Sequence, residues 1–138
     1  MAEVELGQMA QQKASNPDVK KFGERMVADH TKANEQLKAV AEAEHIELPQ
    51  KLDAKDQATK DRLDKLSGEQ FDKAYMKDMV KDHKADVAEF QRESKMAKNP
   101  ELKNFATQTL PVLQSHLRDA ESIAPMIEKG ASAKSGGQ

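Results

Sequence analysis

Apolar residues recur along this chain at steps of three, four and seven, without the two-residue alternation that marks a strand. One stripe is Val19, Phe22, Met26, Ala33, Leu37 and Val40, with His30 filling its gap. A second runs Tyr75, Met79, Val87 and Phe90, with His83 in the middle, and a third runs Leu102, Phe105, Thr109, Val112, Leu113, Ala120 and Ile123, interrupted by His116. Each spacing is that of a helix with one buried face.

The punctuation between stripes marks where the helices start. Ser15-Asn16-Pro17-Asp18 and Asn99-Pro100-Glu101 each place Asn at an N-cap, Pro at the first helical position and an acid in the first turn. Ser67-Gly68-Glu69-Gln70 has the form of a capping box, and Leu48-Pro49 closes the segment before it. The pattern predicts long helices over about 2–14, 17–45, 68–97 and 100–127, and a shorter one over about 53–66. Short turns make two antiparallel hairpins, and the link of roughly 20 residues between them is long enough to cross a bundle. The fold expected is all-α, a four-helix bundle of two hairpins with a short extra helix in the crossover. The bundle occupies 1–128 as one domain, and the small, polar stretch 129–138 is expected to be a disordered tail.

An internal repeat supports two equivalent hairpins. Asn16-Pro17-Asp18-Val19-Lys20-Lys21-Phe22 recurs as Asn99-Pro100-Glu101-Leu102-Lys103-Asn104-Phe105, and Met26-Val27-Ala28-Asp29-His30 echoes Met79-Val80-Lys81-Asp82-His83. Equivalence implies a first helix as long as the third, yet far fewer residues precede Asn16 than separate Ser67 from Asn99. The expectation is a first helix lacking about half its length, so that the apolar stripe over about 30–45 is exposed or covered by a second copy in a homodimer.

Composition narrows the chemistry. The 138 residues include no Cys, which removes disulfides, thiol catalysis, Cys-zinc and iron–sulfur sites. A net charge of −2 with no Trp and one Tyr argues against nucleic acid as a partner. No apolar run is long enough to form a transmembrane segment, and no export signal is visible at the start. No phosphate loop, nucleophile elbow or triad is present.

What remains is histidine. With the second turn centred near residue 98.5, His83 and His116 lie about 15.5 and 17.5 residues from it, a mismatch of roughly 3 Å along the axis. His30 lies about 14.5 residues from the first turn, opposite the start of the first helix, where Glu3 and Glu5 are the nearest acids. Inward His and carboxylate side chains on facing helices are how bundles hold metals. The candidate site is His30, His83 and His116 with Glu5 as the acid, and the candidate cofactor is a divalent transition-metal ion. Asp29 and Asp82, one residue from their histidines, point about 100° away and suit outer partners better than ligands. Met26 and Met79, four residues before an inward His, would add soft ligands for Cu(I), although Met also serves as core filler. His45 sits at a helix end facing water, and Pro111 is expected to kink the last helix. A di-iron oxidase needs Glu-x-x-His on two helices, and Val27, Val80 and Leu113 stand where those glutamates belong. Glu42-x-x-His45 matches alone.

Ala2-Glu3-Val4-Glu5-Leu6-Gly7, Asn16-Pro17 with Phe22, Met26 to Asn34, Tyr75-Met76 with Met79 to His83, and Leu110-Pro111 with Leu117 follow one another in an order that carries a resemblance. Over about residues 2–125 the chain resembles the bacterial ferritin-like domain-of-unknown-function family DUF4142, whose members are labelled predicted outer-membrane proteins. The resemblance implies a ferritin-like bundle and a periplasmic or envelope setting, reached through an export signal and further first-helix sequence upstream of Ala2. It implies no activity. The function expected is a non-enzymatic, stress-related bundle that binds a metal. The alternatives are a metal-dependent oxidoreductase and an amphipathic bundle that opens on a membrane surface or a protein partner.

Overall fold

The computed structural model describes residues 2–45 and 54–137, the side chains of Ala2 and of 128–137 excepted. Every described element is a helix: α1 (Ala2–Lys13), α2 (Pro17–Ala43), α3 (Ala54–Asp64), α4 (Gly68–Met96) and α5 (Pro100–Gly137). α1 packs on α2 and α4 on α5 as two antiparallel hairpins, α2 joins them through α5, and α3 lies against α1 and α4. This is the two-hairpin bundle with a helical crossover that the periodicity predicts.

The two Asn-Pro starts form as expected. Asn16 Oδ1 accepts the Asp18 backbone N–H at 2.8 Å, and Asn99 Oδ1 accepts those of Glu101 and Leu102 at 2.9 and 3.2 Å. The capping box at Ser67 does not form: Ser67 occupies the N-cap with no side-chain bond, because Gly68 takes φ +61, a conformation open to glycine that turns the chain away from box geometry. α2 stops at Ala43 rather than His45, where a left-handed φ of 56 ends the helix. The expected Leu48-Pro49 stop and the Asp53 start of the crossover helix lie outside the described residues. α5 runs through Pro111 and Pro125 and continues past the expected stop near Ile127 into the stretch expected as a disordered tail. Ala131, Ala133 and Lys134 favour helix, and no proline follows Pro125 to end it.

Two contacts set the position of α1. Asp72, 1% exposed on α4, accepts the Ser15 N–H at 3.1 Å, the Ser15 hydroxyl at 2.8 Å and the Asn16 N–H at 2.9 Å, tying the α1–α2 turn to the second hairpin. Gly7 and Gly23 face each other so closely that a Cβ on either would stand 2.8 Å from the other's carbonyl oxygen. Beside this crossing the core is well filled, with Phe71 stacked on Tyr75 at 5.4 Å and Phe22 edge-on to Tyr75 at 6.2 Å.

The large apolar side chains of the α2 and α4 stripes are buried most deeply within the reach of α1. Val19, Phe22, Met26, Tyr75 and Met79 are buried, while Ala33, Leu37, Val40, Val87, Phe90, Leu102 and Phe105, toward the far end, are half-buried. Val112, expected in the stripe of α5, is exposed. Leu113, also expected in the stripe and 100° further round, is buried as expected. The stripe expected to be exposed on α2 is therefore partly covered. The three inward histidines lie where α1 begins, at the boundary between the two regions.

Candidate metal centre

α2, α4 and α5 each contribute one imidazole to a single cluster. The ring centroids of His30 and His83 are 5.8 Å apart, those of His30 and His116 5.3 Å, and those of His83 and His116 5.6 Å. Phe22 forms the floor, with its ring edge-on to His83 at 6.2 Å and to His116 at 6.4 Å. His83 and His116 are fully buried and His30 is 9% exposed. The level arithmetic of the sequence thus holds in three dimensions.

Hydrogen bonding decides which nitrogens face inward. His83 Nδ1 lies 2.8 Å from the Met79 carbonyl oxygen. A carbonyl only accepts, so Nδ1 carries the proton and Nε2 the lone pair. His116 Nε2 donates to the Asp29 carboxylate at 2.6 Å, which leaves the lone pair on Nδ1. These inward atoms, His83 Nε2 and His116 Nδ1, together with His30 Nε2, are buried with no hydrogen-bond partner. One ligand nitrogen from each ring lies within 4.8 Å of those of the other two. A buried polar atom without a partner costs about 1–3 kcal/mol, and the fold collects three at one point. An outer hydrogen bond that fixes the tautomer and aims the lone pair inward is the usual support for a metal-binding histidine. Asp29 gives that support to His116 across the interface rather than to its neighbour His30.

Electrostatics keep the rings neutral. Burial pushes the His30 imidazole down to about 4, against the opposing pull of Glu3 and with His116 and His83 pushing the same way. Burial also lowers His83, outweighing its bond to Met79, and lowers His116, outweighing Asp29. A neutral imidazole keeps one ring nitrogen with a free lone pair.

The two acids at the start of α1 have different surroundings. Glu5 lies 3.6 Å from Lys60 of α3, an ion pair between half-exposed groups. Glu3, two residues or about 200° round the helix, is a carboxylate whose charge acts on all three of His30, His83 and His116, the last also under Asp29. Burial raises the Glu3 carboxyl, but the charges of His30 and other neighbours outweigh it and hold the group low. Glu3 also acts on Asp86 of α4. Burial, then the Glu3 charge, pushes Asp86 up to about 7 and Asp82 up to about 6. Asp86 escaped the sequence reading. Its signal was its place three residues after His83, on the same helix face. The Tyr75 hydroxyl, buried and without a hydrogen-bond partner, is raised by burial and then by the Glu3 charge.

No helix among the described residues is long and apolar enough to cross a membrane. Neither the curated proteins nor the solved structures contain a match to this chain. The family model for the domain of unknown function DUF4142 matches residues 1–123, and the chain belongs to that family.

Proposed function

We propose that this protein is a non-enzymatic helical bundle that binds one divalent transition-metal ion through His30, His83 and His116. The observation that carries the reading is a trio of imidazoles that each hold one buried, partnerless nitrogen and each bring one ligand nitrogen within 4.8 Å of those of the other two. In a tetrahedral site with metal–nitrogen bonds near 2.0–2.1 Å, ligand nitrogens stand about 3.3 Å apart. Small rotations of rings already aimed inward close the difference. Imidazole donors suit Zn, Ni, Cu and Fe. Two bridging carboxylates and Glu-x-x-His pairs, the equipment of a di-iron oxidase, are not what surrounds these rings. A ferritin-like bundle and a periplasmic setting are what the family resemblance implies, and a role in holding metal during envelope stress completes the proposal.

The test is calorimetric titration of tag-free, metal-stripped protein with Zn2+. One ion per chain is expected, with binding lost in His30→Ala, His83→Ala and His116→Ala while circular dichroism shows each variant folded. Failure of the folded wild-type protein to bind would refute the proposal.

A further inference from the structure

Resting on that metal-binding reading, we propose that Glu3 is the fourth ligand of the ion, closing a site of three imidazoles and one carboxylate and tying α1 to the three helices that carry the histidines.

The register of the first hairpin puts Glu3 there. A Cβ at Gly7 would stand 3.1 Å from Met26 Cβ and 3.1 Å from Val27 Cγ2, so Gly7 lies level with 26–27 on the facing helix. In an antiparallel pair, one turn back along α1 corresponds to one turn forward along α2, and four residues from each partner reach Glu3 and His30. Glu3, Gly7 and Ala10 form one seam of α1 against α2, and Glu5 is outside it, paired with Lys60. Asp86 of α4, one turn along from His83, also feels the Glu3 carboxylate. The partnerless Tyr75 hydroxyl also feels the Glu3 charge, which agrees with a carboxylate directed into the bundle rather than at solvent.

Charge balance favours the same assignment. Three neutral imidazoles leave a divalent ion with its full charge in a buried, aromatic-floored pocket, an expensive arrangement away from water. One carboxylate halves that charge. An anionic oxygen donor also directs the site toward borderline divalent ions such as Zn2+ or Co2+ and away from Cu(I), which prefers soft ligands. Four protein ligands make a closed, structural type of centre with no position left for substrate, in keeping with a binding role. Because Glu3 is the contribution of α1, occupancy of the site clamps the start of that helix.

Co2+, whose visible spectrum reports coordination, is the probe. Wild-type protein is expected to give the intense absorption of a four-coordinate ion, unchanged by added azide. Glu3→Gln is isosteric and should weaken Co2+ binding at least about tenfold and shift the spectrum toward higher coordination as water replaces the carboxylate. Glu5→Gln should match wild type in both. Zn2+ should slow hydrogen exchange of the α1 amides in wild type and in Glu5→Gln, but not in Glu3→Gln. Wild-type affinity and spectrum in Glu3→Gln, with binding lost in His83→Ala, would overturn the Glu3 assignment and leave the histidine site standing. No binding of Co2+ or Zn2+ by the wild-type chain would overturn both.

Discussion

Replacing Gly7 by Ala sets two effects of opposite sign against each other. Helix propensity alone favours Ala over Gly by about 1 kcal/mol in a helix interior. Packing opposes it, because the new Cβ would stand 2.8 Å from the Gly23 carbonyl oxygen and 3.1 Å from Met26 Cβ and Val27 Cγ2. The closest of these atoms is backbone and cannot swing aside, so α1 must move off α2 by about 0.5 Å to regain normal contact. With a backbone atom as the obstacle the overpacking cost falls in the upper part of the usual range, about 2–3 kcal/mol, and the net expectation is a loss of about 1–2 kcal/mol. For a domain of this size that is a fall in Tm of roughly 3–8 °C. Urea denaturation should show a lower midpoint at unchanged m. Gln8→Ala, on the exposed face next door, serves as the control and should stay within about 0.5 kcal/mol. Gly7→Ala combined with Gly23→Ala should cost less than the sum of the two, since the first substitution already opens the crossing. The same displacement carries Glu3 away from His30, so Co2+ affinity should fall together with stability. A Gly7→Ala protein as stable as wild type, or more so, would refute the close-approach account.

Asp72→Ala removes the acceptor of three hydrogen bonds at a site 1% exposed and should cost about 3 kcal/mol by urea denaturation, without changing Zn2+ stoichiometry. Tyr75→Phe deletes a buried hydroxyl that has no hydrogen-bond partner, so a thermal melt of metal-free protein should show equal or higher stability, and a loss above about 1 kcal/mol would reveal a partner for it. The His30 imidazole sits near 4 when folded against 6.5 as its ordinary value, so the unfolded chain binds the extra proton between these limits. Its contribution is complete above pH 6.5 and is lost as pH falls toward 4, by about 3 kcal/mol. Asp82 and Asp86, raised when folded, act with the opposite sign, so the comparison is wild type against His30→Gln. The metal-free wild type should lose ground to the variant across that interval, and parallel curves would contradict a neutral buried His30.

The helices and their pairing were legible in the sequence because they depend on short-range physics. Asn-Pro-acid starts, a 3.6-residue apolar period and a scarcity of strand formers act within a few residues of each position. Given an antiparallel turn, a fixed rise per residue carries that local information far enough to bring His83 level with His116. The choice between Glu3 and Glu5 was not legible, since it turns on which face of a twelve-residue helix meets α2, and the Gly7–Gly23 approach fixes that rotation only when both helices are in place. The same holds for Asp72, whose partners lie 56 and 57 residues away, and for Asp29, which serves a histidine 87 residues distant. The sequence by itself determined an all-helical, two-hairpin bundle and three inward histidines. Only the tertiary structure decided which imidazole nitrogens face one another without partners, because tautomer and lone-pair direction are set by acceptors that other helices and the folded backbone bring within hydrogen-bond reach.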